Sequence, residues 1–470
     1  MSGVYDVAVV GAGPAGMTVA THAAAQGLSV IVLDEQGGPG GQIYNSVEQS
    51  PLRGHPALGK DYARGLDLAR ELRGCGAEYV CGANVWQAEA GGALWQVVFS
   101  RQARARRIEA RQLVLATGAY ERPFPIPGWE LPGVMSAGGA QILLKSVGLA
   151  KPNAIFAGSG PLLYLVALQY LRAGIPVRAI LDTTHNANYR RSLKMIPGAL
   201  GRFSTLFKGM RMLLALRSSR TAFIGGVSAL AAEGERRCRS VSCRANGKVY
   251  RFESAEMLFL HHGVVPNVQL ALATGCEQHW DAQQHTWCIT CDPWGRTSRP
   301  GLYVTGDAAG ILGADAARLR AQLTVLAVSA KIGRIEKEQF HSESRRLQAQ
   351  LRKEEALRRF LDALYEPPEQ FRIPSDATFA CRCEEVTAGA IRECVRAGDG
   401  DPNRIKSLLR CGMGPCQGRM CSITVSQIVA REKRLFPGDI GQFRSRPPAR
   451  PVHLDELASL AMEEDTGVPA

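Results

Sequence analysis

The sequence predicts an α/β fold made of two tandem glycine-turn units and a small cysteine-rich C-terminal domain. Three observations predict it. Val4 to Val10 is an apolar run that meets the turn Gly11-Ala-Gly-Pro-Ala-Gly16, an alanine-rich helical stretch to Gly27, and a second apolar run from Val30 to Leu33 closed by Asp34. The same order recurs from Asn153 to Asp182. Cys381, Cys383, Cys411, Cys416 and Cys421 crowd into one late stretch.

In the first unit each residue type has a mechanical task. Gly11 permits the turn, Gly13 leaves room for a pyrophosphate to reach the backbone, and Gly16 lets helix and strand pack closely. The helix N-terminus then faces the phosphates. Asp34 stands about twenty residues on, where a carboxylate takes a ribose hydroxyl pair. Two distant segments return to this unit: a strand entering Ala116-Thr117-Gly118, and Gly301-Leu-Tyr-Val-Thr-Gly306-Asp307. Together they resemble the FAD-binding fold of two-dinucleotide flavoprotein reductases of the glutathione and thioredoxin reductase type. The resemblance implies FAD rather than NAD at the first site, with Asp307 on the ribityl chain and a helix from about Ala316 aimed at the flavin's pyrimidine edge. It also places Gln42, in Gly40-Gly41-Gln42, on a loop near the isoalloxazine.

Composition bounds the remainder. A chain of 470 residues suits two or three domains. No apolar run reaches the eighteen or so residues that span a bilayer, and the first strand begins too early for a leader peptide. The expected location is cytoplasmic, with at most a peripheral seat on the inner membrane face. The formal charge of +13 is scattered over several segments without interleaved aromatics, which argues against nucleic acid.

The second unit reads as a strand to Phe156, the turn Gly158-Ser-Gly160-Pro-Leu-Leu163, a helix to Arg172, and a strand from Val177 closed by Asp182. Leu163 stands where a third glycine belongs, so a looser turn is expected. NAD, another adenine nucleotide and an empty vestigial site all remain open there. The basic, amphipathic stretch from His185 to Arg220 reads as a helical insertion or a docking surface. His261 and His262, adjacent on a strand, point to opposite faces and are read as structural. Cys288-Ile-Thr-Cys291 is read against a redox role, since it lies on a strand or turn and not on a helix N-terminus that lowers a thiol pKa. A charged helix over residues 335–364 ends before Pro367, Pro368 and Pro374, a domain boundary.

Beyond that boundary the cysteines suit zinc, an iron–sulfur cluster or no metal, although a Cys-x-Cys opening is unusual for zinc. Cys-Arg-Cys-Glu-Glu-Val-Thr with Gly-Met-Gly-Pro-Cys-Gln-Gly-Arg-Met-Cys resembles the [2Fe-2S] domain related to bacterioferritin-associated ferredoxin. By position the implied ligands are Cys381, Cys383, Cys416 and Cys421, with Cys411 a fifth thiol in the same loop.

Ala116-Thr-Gly-Ala-Tyr-Glu-Arg-Pro-Phe-Pro-Ile-Pro-Gly-Trp129 and Gly133-Val-Met-Ser-Ala-Gly-Gly-Ala-Gln141 extend the likeness. The whole chain resembles the FAD-containing alpha subunits of opine oxidase, D-hydroxyproline or proline dehydrogenase, and hydrogen cyanide synthase complexes. The resemblance implies an electron-transfer subunit whose partner, a sarcosine-oxidase-like FAD beta subunit, oxidises the amine. It leaves room for a small [2Fe-2S] gamma subunit. No catalytic residue for an amine is legible, and the competing readings are an NADH-dependent flavin reductase and a redox-inert scaffold. The implied division is 1–121 with 263–335 for FAD, 122–262 for the NAD-like unit, 336–374 as a helical linker, 375–432 for [2Fe-2S], and 433–470 as a proline-rich tail, read with the basic insertion as partner surface.

Overall fold

The computed structural model describes residues 3–466. β1 (Val4–Val10) runs into the first glycine turn, and α1 (Pro14–Ala25) opens on a proline, where a missing N–H leaves nothing unpaired. β2 (Val30–Asp34) is buried along its whole length, as a parallel strand covered on both faces must be. After α2 (Lys60–Gly74) come β3 (Glu78–Cys81) and three antiparallel strands, β4 (Asn84–Gly91), β5 (Leu94–Arg101) and β6 (Arg104–Leu115). The sheet order is β3-β2-β1-β6-β5-β4, with β1 parallel to both neighbours, Val7 opposite Val30 and Gln112.

The chain leaves through β7 (Ala119–Glu121) and the proline strap, then β8 (Val134–Ser136) and α3 (Ala137–Val147), whose Ser136 cap accepts from Gly139 N at 3.1 Å. The second unit is β9 (Ala154–Gly158), α4 (Pro161–Arg172) and β10 (Val177–Asp182). Leu163, where a third glycine belongs, points into the core. Its side chain is fully buried in the same core as Phe156 and Tyr164, and β10 runs parallel to β9 with a register shift between Val177 and Ala179. The basic insertion folds as α5 (Asn186–Leu193), α6 (Ile196–Ala199), a 3-10 turn and α7 (Phe203–Arg217). β11 (Ala222–Gly225) then joins the sheet, β12 (Val227–Glu233), β13 (Ser240–Ala245) and β14 (Lys248–Glu253) form an antiparallel meander, and β15 (Leu258–His261) completes the order β11-β10-β9-β15-β8.

The return to the first sheet passes through β16 (Val264–Pro266), antiparallel to β7, then α8 (Gln269–Ala273), β17 (Gln278–Asp281) and β18 (Thr286–Ile289). β19 (Leu302–Val304) lies parallel to β6, Leu302 opposite Leu113, and α9 (Ala314–Ile332) packs on α1. The first nucleotide fold is therefore built from both ends of a discontinuous stretch. α10 (Lys337–Leu364) crosses α9, α5 and α6, and α11 (Glu369–Arg372) leads into the cysteine domain.

That domain is a short hairpin, β20 (Phe379–Cys381) and β21 (Val386–Thr387), with helices α12 (Ala388–Arg396), α13 (Pro402–Leu409) and α14 (Ser422–Lys433). α13 opens on Asp401, which caps it by accepting from Asn403 N at 2.8 Å. The tail packs back on the first sheet. After α15 (Pro437–Ile440), Ala449 N donates to Trp86 O at 2.7 Å, and α16 (Leu454–Thr466) lies against β6, where Ala105 N donates to Ser459 Oγ at 3.0 Å.

Candidate functional site

A cleft of about 2290 Å³ opens between the two glycine turns. Gly11, Gly13, Asp34, Gln42, Thr117, Gly118 and Asp307 line it from the first unit, and Ser159 and Gly160 from the second. The glycines differ in what they do. Gly11 has φ +102, and a Cβ there would stand 2.5 Å from Ala116 O. Gly16 lies behind the wall, where a Cβ would stand 1.8 Å from Gly11 O. Gly13 has φ −73, open to any residue, and its nearest neighbour to a built Cβ is Gly41 Cα at 3.8 Å. Its Cα therefore faces free space at the α1 N-terminus, the cradle a pyrophosphate needs.

Asp34 closes β2 and accepts from Ala12 N and Gln36 N, both at 3.1 Å; burial raises its carboxyl to about 6. Hydroxyl donors from a bound diol would favour the carboxylate there. Asp307 Oδ1 accepts from Leu312 N and Gly313 N, each at 2.9 Å, and so fixes the loop that launches α9. Gly306 sits behind it, where a Cβ would lie 2.7 Å from Ala15 Cβ. Open space, helix N-terminus and buried carboxylate together fit a dinucleotide.

The second unit is only half built for one. Gly158 is required, since a Cβ would stand 1.8 Å from His261 O, and Ser159 Oγ is buried without a partner at the cleft wall. Asp182 is turned away. Its Oδ1 accepts from Thr184 N at 2.8 Å, it is 3% exposed, and Tyr164, Tyr189 and Tyr365 crowd its charge. Tyr365 comes from the end of α10, which Arg191 and Glu366 pin down by an ion pair.

Two groups went unread in the sequence. Glu121 accepts from Gly138 N at 2.8 Å, at the α3 N-terminus, and from His261 Nδ1 at 2.6 Å, so an acid and an imidazole 140 residues apart form a dyad on the cleft wall. His262, just past the end of β15, is stacked on Phe124 at 3.6 Å. Lys145, 3% exposed, donates to Ile43 O and Gln141 Oε1, both at 2.9 Å, and burial pulls it down to about 7. Folded and unfolded chains then bind different numbers of protons between about 7 and the ordinary 10.5. The unfolded chain holds more, so this group makes stability rise with pH across that window. Lys145→Met should flatten the rise by on the order of 2–4 kcal/mol between pH 7 and pH 10, read as the difference in urea midpoints.

None of the residues lining the cleft is a cysteine. Cys288 is buried on β18 with its thiol pushed up to about 12, so the Cys288/Cys291 pair is neither exposed nor activated. Cys381, Cys411 and Cys421 bring their sulfurs within 4.8 Å of one another. Their shared hydrogen bonds favour the thiolate at Cys381 and raise the other two. Cys383 and Cys416 bond to each other beside this group. An all-thiol donor set with no carboxylate suits iron–sulfur or zinc. It adjoins the cleft, which Arg382, Arg419 and Met420 line, and Arg382 stacks on Trp129 while Trp129 Nε1 donates to Phe379 O at 2.9 Å.

Residues 5–180 match the pyridine nucleotide-disulphide oxidoreductase family and residues 375–460 the sarcosine oxidase A3 domain. The chain is 41% identical to the A subunit of opine oxidase from Agrobacterium tumefaciens strain Ach5, over 98% of this chain and 92% of that one. It is 30% identical to the HcnB subunit of hydrogen cyanide synthase from Pseudomonas aeruginosa, over 97% and 98%. Among solved structures, L-proline dehydrogenase from P. horikoshii superposes with a TM-score of 0.72 at 19% identity, covering 97% of this chain and 79% of that one, a likeness of fold.

Proposed function

The chain belongs to the family of opine oxidase A subunits, which are FAD-dependent oxidoreductase components, and from that membership we propose that it is the electron-transfer subunit of an amine or amino-acid dehydrogenase. The observation that carries the reading is the seat of the thiol group. Arg382, between Cys381 and Cys383, and Met420, next to Cys421, line the same cleft as Gly13 and Asp34. Neighbouring Cα atoms stand about 3.8 Å apart along the chain, so the thiols lie close behind the wall that Arg382 and Met420 form.

FAD and a [2Fe-2S] cluster, when bound, supply two-electron and one-electron chemistry respectively. The residues proposed for FAD are Gly11, Gly13, Gly16, Asp34, Gln42, Thr117, Gly118, Gly306 and Asp307. Those proposed for the cluster are Cys381, Cys383, Cys416 and Cys421. Asp34 orients a ribose, the α1 N-terminus meets phosphate, and the Asp307 loop holds α9 in line. The amine is oxidised on a partner, a sarcosine-oxidase-like flavoprotein. Opines fit the name carried by the opine oxidase relatives, and D-hydroxyproline and proline are secondary amino acids of the same chemical class.

A second reading, NADH feeding the flavin, draws on Gly158, Gly160 and the unpartnered Ser159 Oγ. Against it, Asp182 does not line the cleft, whereas Asp34 does. Anaerobic NADH is therefore expected to leave the flavin absorbance unchanged over minutes. Rapid bleaching would make the chain a self-sufficient reductase.

The isolated chain should show no turnover with opines, D-hydroxyproline, proline or glycine and a dye acceptor. Co-expression with a sarcosine-oxidase-like partner should restore it. Substantial turnover by the isolated chain would place the amine site here.

A further inference from the structure

α7 has two apolar faces, and only one is covered. Met212, Leu213 and Leu216 pack on the core of the nucleotide units. Phe203, Phe207, Met210 and Leu214, spaced by four, three and four residues, form a single stripe on the far side. Their exposures are 62%, 44%, 51% and 58%, too much apolar surface in one line for chance scatter. Leu193 and Leu200, on the segment leading into the helix, are exposed by 61% and 52%.

The segment that carries this stripe has charge of one sign. No aspartate or glutamate occurs between Asp182 and Glu233. Arg191, Arg202 and Lys208 have acidic partners in Glu366, Asp315 and Asp61. Arg190, Lys194, Arg211, Arg217 and Arg220 are exposed and make no ion pair among the described residues. Arg211 lies over the Phe207 ring at 6.0 Å, which holds a cation at the edge of the apolar stripe.

We propose that α7 lies in the headgroup region of an anionic membrane, with its Phe/Met/Leu stripe inserted and the flanking arginines on lipid phosphates. This goes beyond the electron-transfer reading and does not depend on it. An apolar stripe on a segment whose own charged residues are all cations is what an interfacial helix presents, and no helix of the described residues is long and apolar enough to cross a bilayer. Phe203, Met210 and Leu214 stand outside the nucleotide cleft, which Phe207 and Arg211 edge, so a ligand seated in the cleft leaves them uncovered.

The test uses the full chain and sedimentation with vesicles of phosphatidylcholine, with and without phosphatidylglycerol. The chain should pellet with the anionic vesicles at low salt and less at high salt. Phe203→Ser with Met210→Ser and Leu214→Ser should lower the partition coefficient by about tenfold or more at any salt. Arg190→Gln with Lys194→Gln and Arg217→Gln should lower it by about tenfold at low salt only. All six positions are exposed, and unchanged flavin content and melting temperature confirm that the fold persists. Wild-type chain that stays in the supernatant with anionic vesicles would overturn the proposal, as would undiminished binding by the apolar variant. Loss of co-purifying partner chains in that variant, with vesicle binding intact, would make α7 a protein interface instead.

Discussion

Gly13→Val is expected to give folded protein that carries almost no flavin. The backbone at Gly13 is already in a conformation any residue adopts, and a Cβ there meets nothing nearer than Gly41 Cα at 3.8 Å. The fold therefore tolerates the side chain. The space it fills is the one at the α1 N-terminus through which a pyrophosphate reaches backbone N–H groups. Flavin content per chain should fall by at least about tenfold, because phosphate contacts and dipole are lost together. Gly16→Val is the contrast. Its Cβ would stand 1.8 Å from Gly11 O, so that variant should fail to fold. Flavin content in purified Gly13→Val equal to wild type, with a native far-ultraviolet spectrum, would remove FAD from this turn.

Cys381→Ser and Cys421→Ser are expected to abolish the visible absorption and acid-labile sulfide of the C-terminal domain. Both residues are at most 1% exposed and belong to the three-thiol group within 4.8 Å. A hydroxyl is a harder donor than a thiolate and holds iron and sulfide poorly. Cys383→Ser should have the same effect, whereas Cys291→Ser, on a segment remote from the cluster, should leave the spectrum intact. The fifth thiol separates two ligand sets. Cys411→Ser should keep the absorption if Cys383 and Cys416 complete the site, and should lose it if Cys411 replaces one of them. Stoichiometric zinc without labile sulfide would remove the cluster from the electron path.

Local chemistry was legible wherever a residue type answers to backbone geometry. Gly11 and Gly16 are required by turn and close approach, and their spacing to Asp34 announces the unit before any contact is known. The same holds for the second turn up to Gly160. At Leu163 the pattern departs from the first unit, where Gly16 lets α1 approach the turn closely. Here the leucine fills the core between α4 and the sheet. It also left Asp182 open, since nothing local says that Tyr365, nearly two hundred residues on, will stand over it.

Residue order alone settles the set of strand, turn and helix units, the acid that closes each, and the cysteine spacings. These depend on φ, ψ, side-chain period and packing volume within a few residues. Which of these groups face one another was decided by the tertiary structure. It joined Glu121 to His261, buried Lys145 against the Gln42 loop, brought Cys411 to Cys381 and Cys421, and set Arg382 and Met420, chain neighbours of the thiols, on the wall of the nucleotide cleft. Such meetings arise from strand order and crossover across more than a hundred residues in most cases, and neither periodicity nor propensity carries that information.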